Sequence, residues 1–491
     1  MNASPPPAHP WTRTWLAGLA ATLLVAVGLV ALPQSTAQAA APTPGQWYVI
    51  QSAHSGLALD IKDISTTAGA PLQQWERWDG QGQQFRFLDS GGGYYRIQAR
   101  HSSMVLDVYG WNAENGAEIV QWQDLNAHNQ QWRIRENSDG TVAFLNRFSG
   151  KALDLYDFAT EGGARISQYT DNGAAVQKWR LVKPGELTNP IRTNGADPWI
   201  QYSDGYYYMS TTTWDSTVTM RRSTTLAGLS AAPDQVVWDD AGSSSRCCSH
   251  WAPEFHRIDG TWYLTYTSGN SQTNFDGQKI HVLRSTSSTP MGPYEFMGTP
   301  MPNRWNIDSS YLEHNGSLYM LFSEWIGADQ TVRIVKMTNP WTTTGSPATI
   351  STPTHSWETQ GGRTNEGAAV IKHGGRTFVS FSASSCNTPD YKIGMLELTG
   401  SNPLNPSHWT KQSQPAMQKG NGVFGPGHNG FFKSPDGTED WIVYHGNTTS
   451  TQGCGATRQT RVQKVTWSSA GLPVLGAPVP AGQVMTPPSG E

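Results

Sequence analysis

Cysteine is scarce in this chain of 491 residues: there are four, all at or beyond Cys247. The first half must therefore fold without disulfides. Charge is sparse too. Asp, Glu, Lys and Arg make up 15% of the residues, the formal net charge is -4, and no block of one sign occurs. That argues against nucleic acid as a partner, because phosphate recognition needs a concentrated basic surface. Beyond residue 40 no apolar run is long enough to cross a bilayer. One such run stands at the start: Arg13 precedes WLAGLAATLLVAVGLVAL, and AQAA from Ala37 supplies small residues for cleavage. This reads as a signal peptide over residues 1–40. The expectation is a secreted, extracellular monomer in oxidising surroundings, with no membrane association once the peptide is removed.

What the chain has in quantity is Trp (21), Gly (50) and Pro (31). Many aromatics and many turn formers with few charges suit an all-β protein, and the length suits two domains.

Three ungapped copies of one pattern recur every 47 residues, from LALDIKD through MVLDVYG to KALDLYD. Each carries an Asp (Asp60, Asp107, Asp154), then an aromatic ring (Trp75, Trp122, Tyr169), then a Gln (Gln83, Gln130, Gln177). A carboxylate accepts hydrogen bonds from sugar hydroxyls, and a ring stacks on the apolar face of a sugar. The pattern resembles the ricin-type β-trefoil of carbohydrate-binding module family 13, over residues 44–183. The resemblance implies sugar contacts at Asp60, Gln73 and Trp75, at Asp107, Trp122 and Asn129, and at Asp154 and Tyr169, with the signature Gln residues structural. In the third copy Ser167 and Val176 stand where polar binding groups are expected.

Beyond a short linker, KPGEL, five X-Gly turns recur at Asp204, Asp259, Asn315, His373 and Asp436, at steps of 55, 56, 58 and 63 residues. Each is followed by an aromatic or β-branched run, so five similar units over residues 188–482 predict a five-bladed β-propeller. Seven residues before the turns stand Asp197, Ala252, Asp308, Glu366 and Asn429. Equivalent positions on inner strands converge on one mouth of a propeller, so three of the five bring carboxylates together. Clustered carboxylates raise one another's pKa, and a base and a protonated acid at one mouth suit glycoside hydrolysis. Glu254 is a fourth acid on the same strand face as Ala252, expected lower in the channel.

The motifs GADPWI, WAPEFHRIDGTWYL, IDSSYLEHNGSLYMLFSE, NEGAAVIKHGGRTF and GPGHNGFFKSPDG resemble glycoside hydrolase family 43. The resemblance implies inversion at the anomeric carbon, with Asp197 as general base, Glu366 as general acid and Asp308 as modulator of the acid. It places His428 in the channel, where family members hold water or a metal ion. Calcium or another structural ion there is the one cofactor expected, and the chemistry requires none. Arg461 matches the family's late arginine near the sugar, with Arg458 close by as a rival. Trp251, Trp325, Cys247 and Cys248 are further candidates for the pocket wall, and the second strands of the blades return Trp214, Asn270, Trp325 and Cys386 to the same face. The implied activity is an exo-acting α-L-arabinofuranosidase on plant arabinan or arabinoxylan. A β-xylosidase, an endo-arabinanase, an exo-β-1,3-galactanase or a lectin-like protein with an inactive propeller are the alternatives.

Cys386 and Cys454 follow the second strands of neighbouring blades and are expected to bridge. That leaves Cys247 and Cys248 as an adjacent pair, either joined or two thiols. Adjacent Cα atoms lie ~3.8 Å apart, so a joined pair is strained.

Overall fold

The protein is described by a computed structural model over residues 42–491, so the expected signal peptide lies outside the described residues. Twelve strands from Tyr48–Ser52 to Trp179–Val182 form one closed sheet in three similar parts, a β-trefoil. Phe85, Trp132 and Trp179, one from each repeat, are fully buried at its centre. The signature Gln residues build the frame. Each donates to a backbone carbonyl seven residues earlier (Glu76, Gln123, Thr170) and accepts from a backbone N–H five residues earlier (Trp78, Leu125, Asn172). Apolar packing and amide bonds replace the absent disulfides.

The rest forms five four-stranded antiparallel sheets, the five blades of a propeller. Their inner strands are Trp199–Ser203, Cys248–Ile258, Ile307–His314, Asn365–His373 and Phe424–Lys433. Apolar side chains fill the spaces between blades; Leu312, Leu321, Val379 and Phe381, for example, pack between the third and fourth. Blade five is built wholly from late sequence, so the ring needs another closure. Arg192 bridges Thr460, Asn189 exchanges side-chain hydrogen bonds with the backbone of Val462, and Leu187–Thr188 pairs with Val484–Met485. The tail beyond 482 is therefore part of the domain; even Glu491 accepts a hydrogen bond from the Leu226 N–H.

The KPGEL segment is clasped rather than free. Buried Arg77 donates to the carbonyl of Glu186 and to the Thr188 hydroxyl, while Asp79 accepts from the Gly185 N–H. Trefoil and propeller fall within one compact unit. Gln459 donates to the Ser55 carbonyl at 2.6 Å, and Arg180 to the Ala481 carbonyl at 2.9 Å.

Gly56 sits at this joint with φ +77, and a Cβ there would come within 2.3 Å of Pro190 Cδ. Gly173 has φ +72 and open space around it. Both Gly56→Ala and Gly173→Ala should meet left-handed strain of ~1–2 kcal/mol, but only Gly56→Ala adds an overlap of ~1–3 kcal/mol. Thermal unfolding should show a clearly larger drop in midpoint for Gly56→Ala; equal drops would mean the turn does not bear on the propeller.

Candidate active site

The five inner strands begin alike. A residue in the left-handed region stands just before each inner strand or within its first five residues: Asp197 (φ 51), Ala252 (φ 45), Asp308 (φ 55), Gly367 (φ 58) and His428 (φ 37). In blades two to five it falls where the pairing with the second strand shifts register, as at a β-bulge. Its N–H is lifted out of its own sheet and bonds to the preceding blade. Ala252 donates to the Thr212 hydroxyl, Asp308 to Thr267, Gly367 to Ser323 and His428 to Ser382. Asp197 closes the circle by donating to His445 Nδ1 of blade five at 3.2 Å.

This ring corrects the sequence-based register at two of the five positions. In blade four His373 pairs with Arg376, so the turn is Gly374-Gly375 and the ring residue is Gly367. Glu366 is one residue earlier, equivalent to Trp251 and Ile307. In blade five Lys433 pairs with Asp440 across a longer loop that contains Asp436-Gly437, which puts His428 in the ring where Asn429 was expected. Gly367 has a second reason to be glycine: a Cβ there would lie 3.1 Å from His428 Nδ1.

The three acids still share the mouth, in different surroundings. Asp197 receives the Thr212 hydroxyl at 2.7 Å on one oxygen and Arg458 Nη1 at 2.9 Å on the other. His428 Nδ1 lies 3.5 Å from that second oxygen. Burial by itself would raise the Asp197 pKa, but Arg458, His428 and His445 together outweigh it, and the carboxyl is held well below its usual range. Glu366 receives the Tyr391 hydroxyl at 2.8 Å and the Gln330 amide at 2.7 Å. Burial raises its pKa, the Tyr391 bond opposes, and the Asp197 charge raises it further. Asp308 is pushed well above its usual range by burial, then by Glu366 and Asp197. Glu254, two residues further along its strand than Ala252, is buried against His256 at 2.9 Å, and burial raises its pKa well above its usual range. Burial keeps His428 below its usual pKa and takes His445 to about 3, so Arg458 supplies the positive charge beside Asp197.

Arg461 is the misplaced candidate. Its guanidinium is buried against the Gln459 side chain and the Val479 carbonyl, so it takes no part at the mouth. Three residues along a strand end separate it from Arg458, which neither motif nor spacing resolves. The sequence also passed over Tyr391, Gln330, His445 and Thr212, which come from second and third strands and surrounding loops.

Trp251 contacts Trp214 edge-on at 5.7 Å and Phe275 at 4.7 Å, giving the mouth an aromatic wall. The indole nitrogens of Trp214 and Trp251 are buried without a protein partner, as donors awaiting a ligand or water would be. Cys247 and Cys248 are joined to each other, at a Cα separation of 3.7 Å, just ahead of Trp251. Cys386 bridges Cys454 at 5.1 Å. Trp325 is exposed beside Trp305. Among the described residues no three or more His, Cys, Asp or Glu side chains are grouped to hold a metal ion.

In the trefoil, Asp60 accepts from Gln73 at 2.9 Å, Asp107 from Gln130 at 2.9 Å and Asp154 from Gln177 at 3.1 Å. Burial takes Asp107 and Asp154 up to about 6. Trp75 and Tyr169 are 46% and 44% exposed, free to stack, whereas Trp122 is half-buried. Asn129 donates to the Val108 carbonyl and keeps a buried, unpaired oxygen. The 47-residue step relates another exposed series, Ile64, Trp111 and Phe158, outside the sugar-binding pattern.

A family profile, Glycosyl hydrolases family 43, matches residues 187–473, more than half the chain. A second, Ricin-type beta-trefoil lectin domain-like, matches 38–122 and 128–207. An extracellular exo-alpha-(1->5)-L-arabinofuranosidase of Streptomyces avermitilis is 39% identical over 312 residues, 60% of this chain and 64% of that protein. A protein of the same description from Streptomyces chartreusis is 34% identical over 54% of this chain and 83% of its own length. The crystal structure of an alpha-L-arabinofuranosidase from Lactobacillus brevis superposes with a TM-score of 0.57 at 31% identity, covering 60% of this chain and 98% of that one.

If Arg458 holds Asp197 ionised, Arg458→Gln should move the acid limb of the kcat/KM profile to higher pH, because an ionised base is then lost sooner on acidification. Arg461→Lys should leave that limb in place. Equal profiles for the two variants would remove Arg458 from the site.

Proposed function

This chain belongs to glycosyl hydrolase family 43, and from that premise we propose that it is a secreted, inverting, exo-acting α-L-arabinofuranosidase that uses its trefoil to stay on arabinan or arabinoxylan. The chain spans 64% of the length of the first of its curated relatives, so the relatives' activity is carried over here as part of this reading. The observation that carries the chemistry is the contrast between two carboxyl groups at one mouth. Asp197 is tied to Arg458, while Glu366 is tied to a phenol and an amide.

Asp197, held as a carboxylate, removes a proton from water as that water attacks the anomeric carbon. Glu366, kept protonated by burial, gives its proton to the departing glycosidic oxygen, and the Tyr391 and Gln330 bonds fix the carboxyl's orientation as it ionises. Asp308, itself protonated, adds no negative charge that would hinder that transfer, and its ionisation at higher pH would raise the acid's pKa further. Inversion requires that water fit between base and acid, ~6.5–9.5 Å across. The aromatic wall of Trp214 and Trp251 offers faces and indole donors to a single terminal sugar. The extracellular description of two relatives supports secretion.

Glu366→Gln should nearly abolish release of arabinose from natural linkages, by ~10²–10⁴-fold, while sparing much of the rate on aryl glycosides whose leaving groups need no proton. Asp197→Asn should damage both alike. Proton NMR of the first-formed sugar should show the inverted anomer; retention would defeat the assignment.

Binding by the trefoil carries its own pH signature. Asp107 and Asp154 accept sugar hydroxyls best when ionised, so retention on insoluble arabinan should weaken as pH falls through about 6. An inactive Asp197→Asn protein retained equally at pH 5 and pH 7 would show that these carboxylates do not hold the sugar.

A further inference from the structure

The third trefoil repeat faces the propeller across a cleft of about 420 Å³. Its trefoil wall is the segment from Tyr156 to Arg165, and its propeller wall is Thr449. Neither Asp154 nor Tyr169, the sugar contacts expected of this repeat, lines it. Phe158 is 60% exposed and Tyr156 44% exposed, and the Arg165 guanidinium lies 3.8 Å from the centre of the Tyr156 ring. Of the equivalent residues Ile64, Trp111 and Phe158, it is Phe158 that meets the catalytic domain in this cleft.

Both walls are held in place. Fully buried Gln74 donates to the carbonyls of Ala159 and Glu161, and its own carbonyl accepts from the Gly163 N–H. Thr449 is fixed by Gln452, and the loop that follows is pinned by the Cys386–Cys454 bridge. The Ser55–Gln459 bond and the contact of Gly56 with Pro190 lock the two domains beside it. The cleft is also near the mouth. His445 lies 3.2 Å from Asp197, and Thr449 is four residues further along the chain. Four residues reach at most ~14 Å between Cα atoms, a span that a short oligosaccharide covers.

Exposed rings on one side, with a guanidinium, the Glu161 carboxylate and a hydroxyl around them, suit a neutral sugar chain. Rings take the apolar sugar faces and the polar groups take hydroxyls; a lipid or an apolar peptide would leave the charged groups unpaired. We propose that this two-domain cleft is an accessory subsite for the pentose polysaccharide whose end is cut at the mouth, with Phe158 as the stacking platform. This rests on the hydrolase reading above, and it makes the trefoil part of the substrate path as well as a tether.

The test uses the full chain with Phe158→Ala and with Thr449→Tyr, which fills the cleft from the opposite wall. Both should raise KM for longer arabino-oligosaccharides and arabinan about 3–10-fold. Both should leave kcat, and all constants for an aryl α-L-arabinofuranoside, unchanged. A proportional loss on every substrate would mean a structural defect and overturn the subsite, as would unchanged KM for the oligosaccharides. Electrophoretic retardation in gels of arabinan, arabinoxylan, xylan or galactan separates this inference from the activity. A parent protein that cleaves no arabinofuranoside yet is retarded less after Phe158→Ala would sink the arabinofuranosidase reading and keep the subsite. Unchanged retardation in all four gels, with no cleavage, would overturn both.

Discussion

Five backbone N–H groups hold the catalytic mouth together. Each belongs to a residue in the left-handed region, and each reaches across to a side chain of the preceding blade. Left-handed backbone costs a non-glycine residue ~1–2 kcal/mol, and four of the five are not glycine. The interblade bond offsets that cost, because an inner-strand N–H turned from its own sheet would otherwise be a buried, unsatisfied donor. The same turn aims Asp197, Asp308 and His428 at the axis. Geometry and chemistry thus share one device, and the closing member is the catalytic candidate itself: the Asp197 amide seals blade one to blade five through His445.

That closure brings His445 beside Asp197, where Arg458 is the main influence holding the carboxyl below its usual range. His445 accepts the amide proton on Nδ1, so it is neutral, and it stacks on Tyr391, the partner of Glu366, at 5.7 Å. One imidazole therefore touches the surroundings of both acids. Arg458 is the strongest positive influence beside Asp197, with no counterpart among the described residues beside the other two acids. Removing carboxylates from water is expensive, and one cation offsets that for one of them; burial raises the pKa of the other two.

Arg458 in turn stands beside Gln459, which the trefoil grips through the Ser55 carbonyl. Gln459 also supports Arg461, the arginine that the motif suggested for the sugar. The late arginines thus divide the work: one faces the acid, and the other braces the strand that carries it. Docking the domains by buried hydrogen bonds, without a free linker, gives the lectin-like domain a set position against the mouth.

Much of this was legible in the sequence. The 47-residue repeat could mean only a closed threefold arrangement, because each copy alone is too small to bury its apolar face. Five turns at similar spacing carried the propeller, and Asp197 and Asp308 could be counted directly from Asn-Gly and Asp-Gly turns. Glu366 was reached through a turn placed one residue early: His373-Gly374-Gly375 offers two ways to draw the hairpin, and only strand pairing chooses between them. Cysteine pairing followed from blade order. Tyr391, Gln330, His445 and Thr212 escaped because they belong to no periodic pattern of acids, and Arg458 was named only as a rival to Arg461. What sets Asp197 apart from Glu366 is which distant side chain lies within 3 Å of each. Local propensity and spacing determine strands and their order. Side-chain partners across blades and burial from water exist only once the ring has closed, so the ionisation of the acids was decided by the tertiary structure alone.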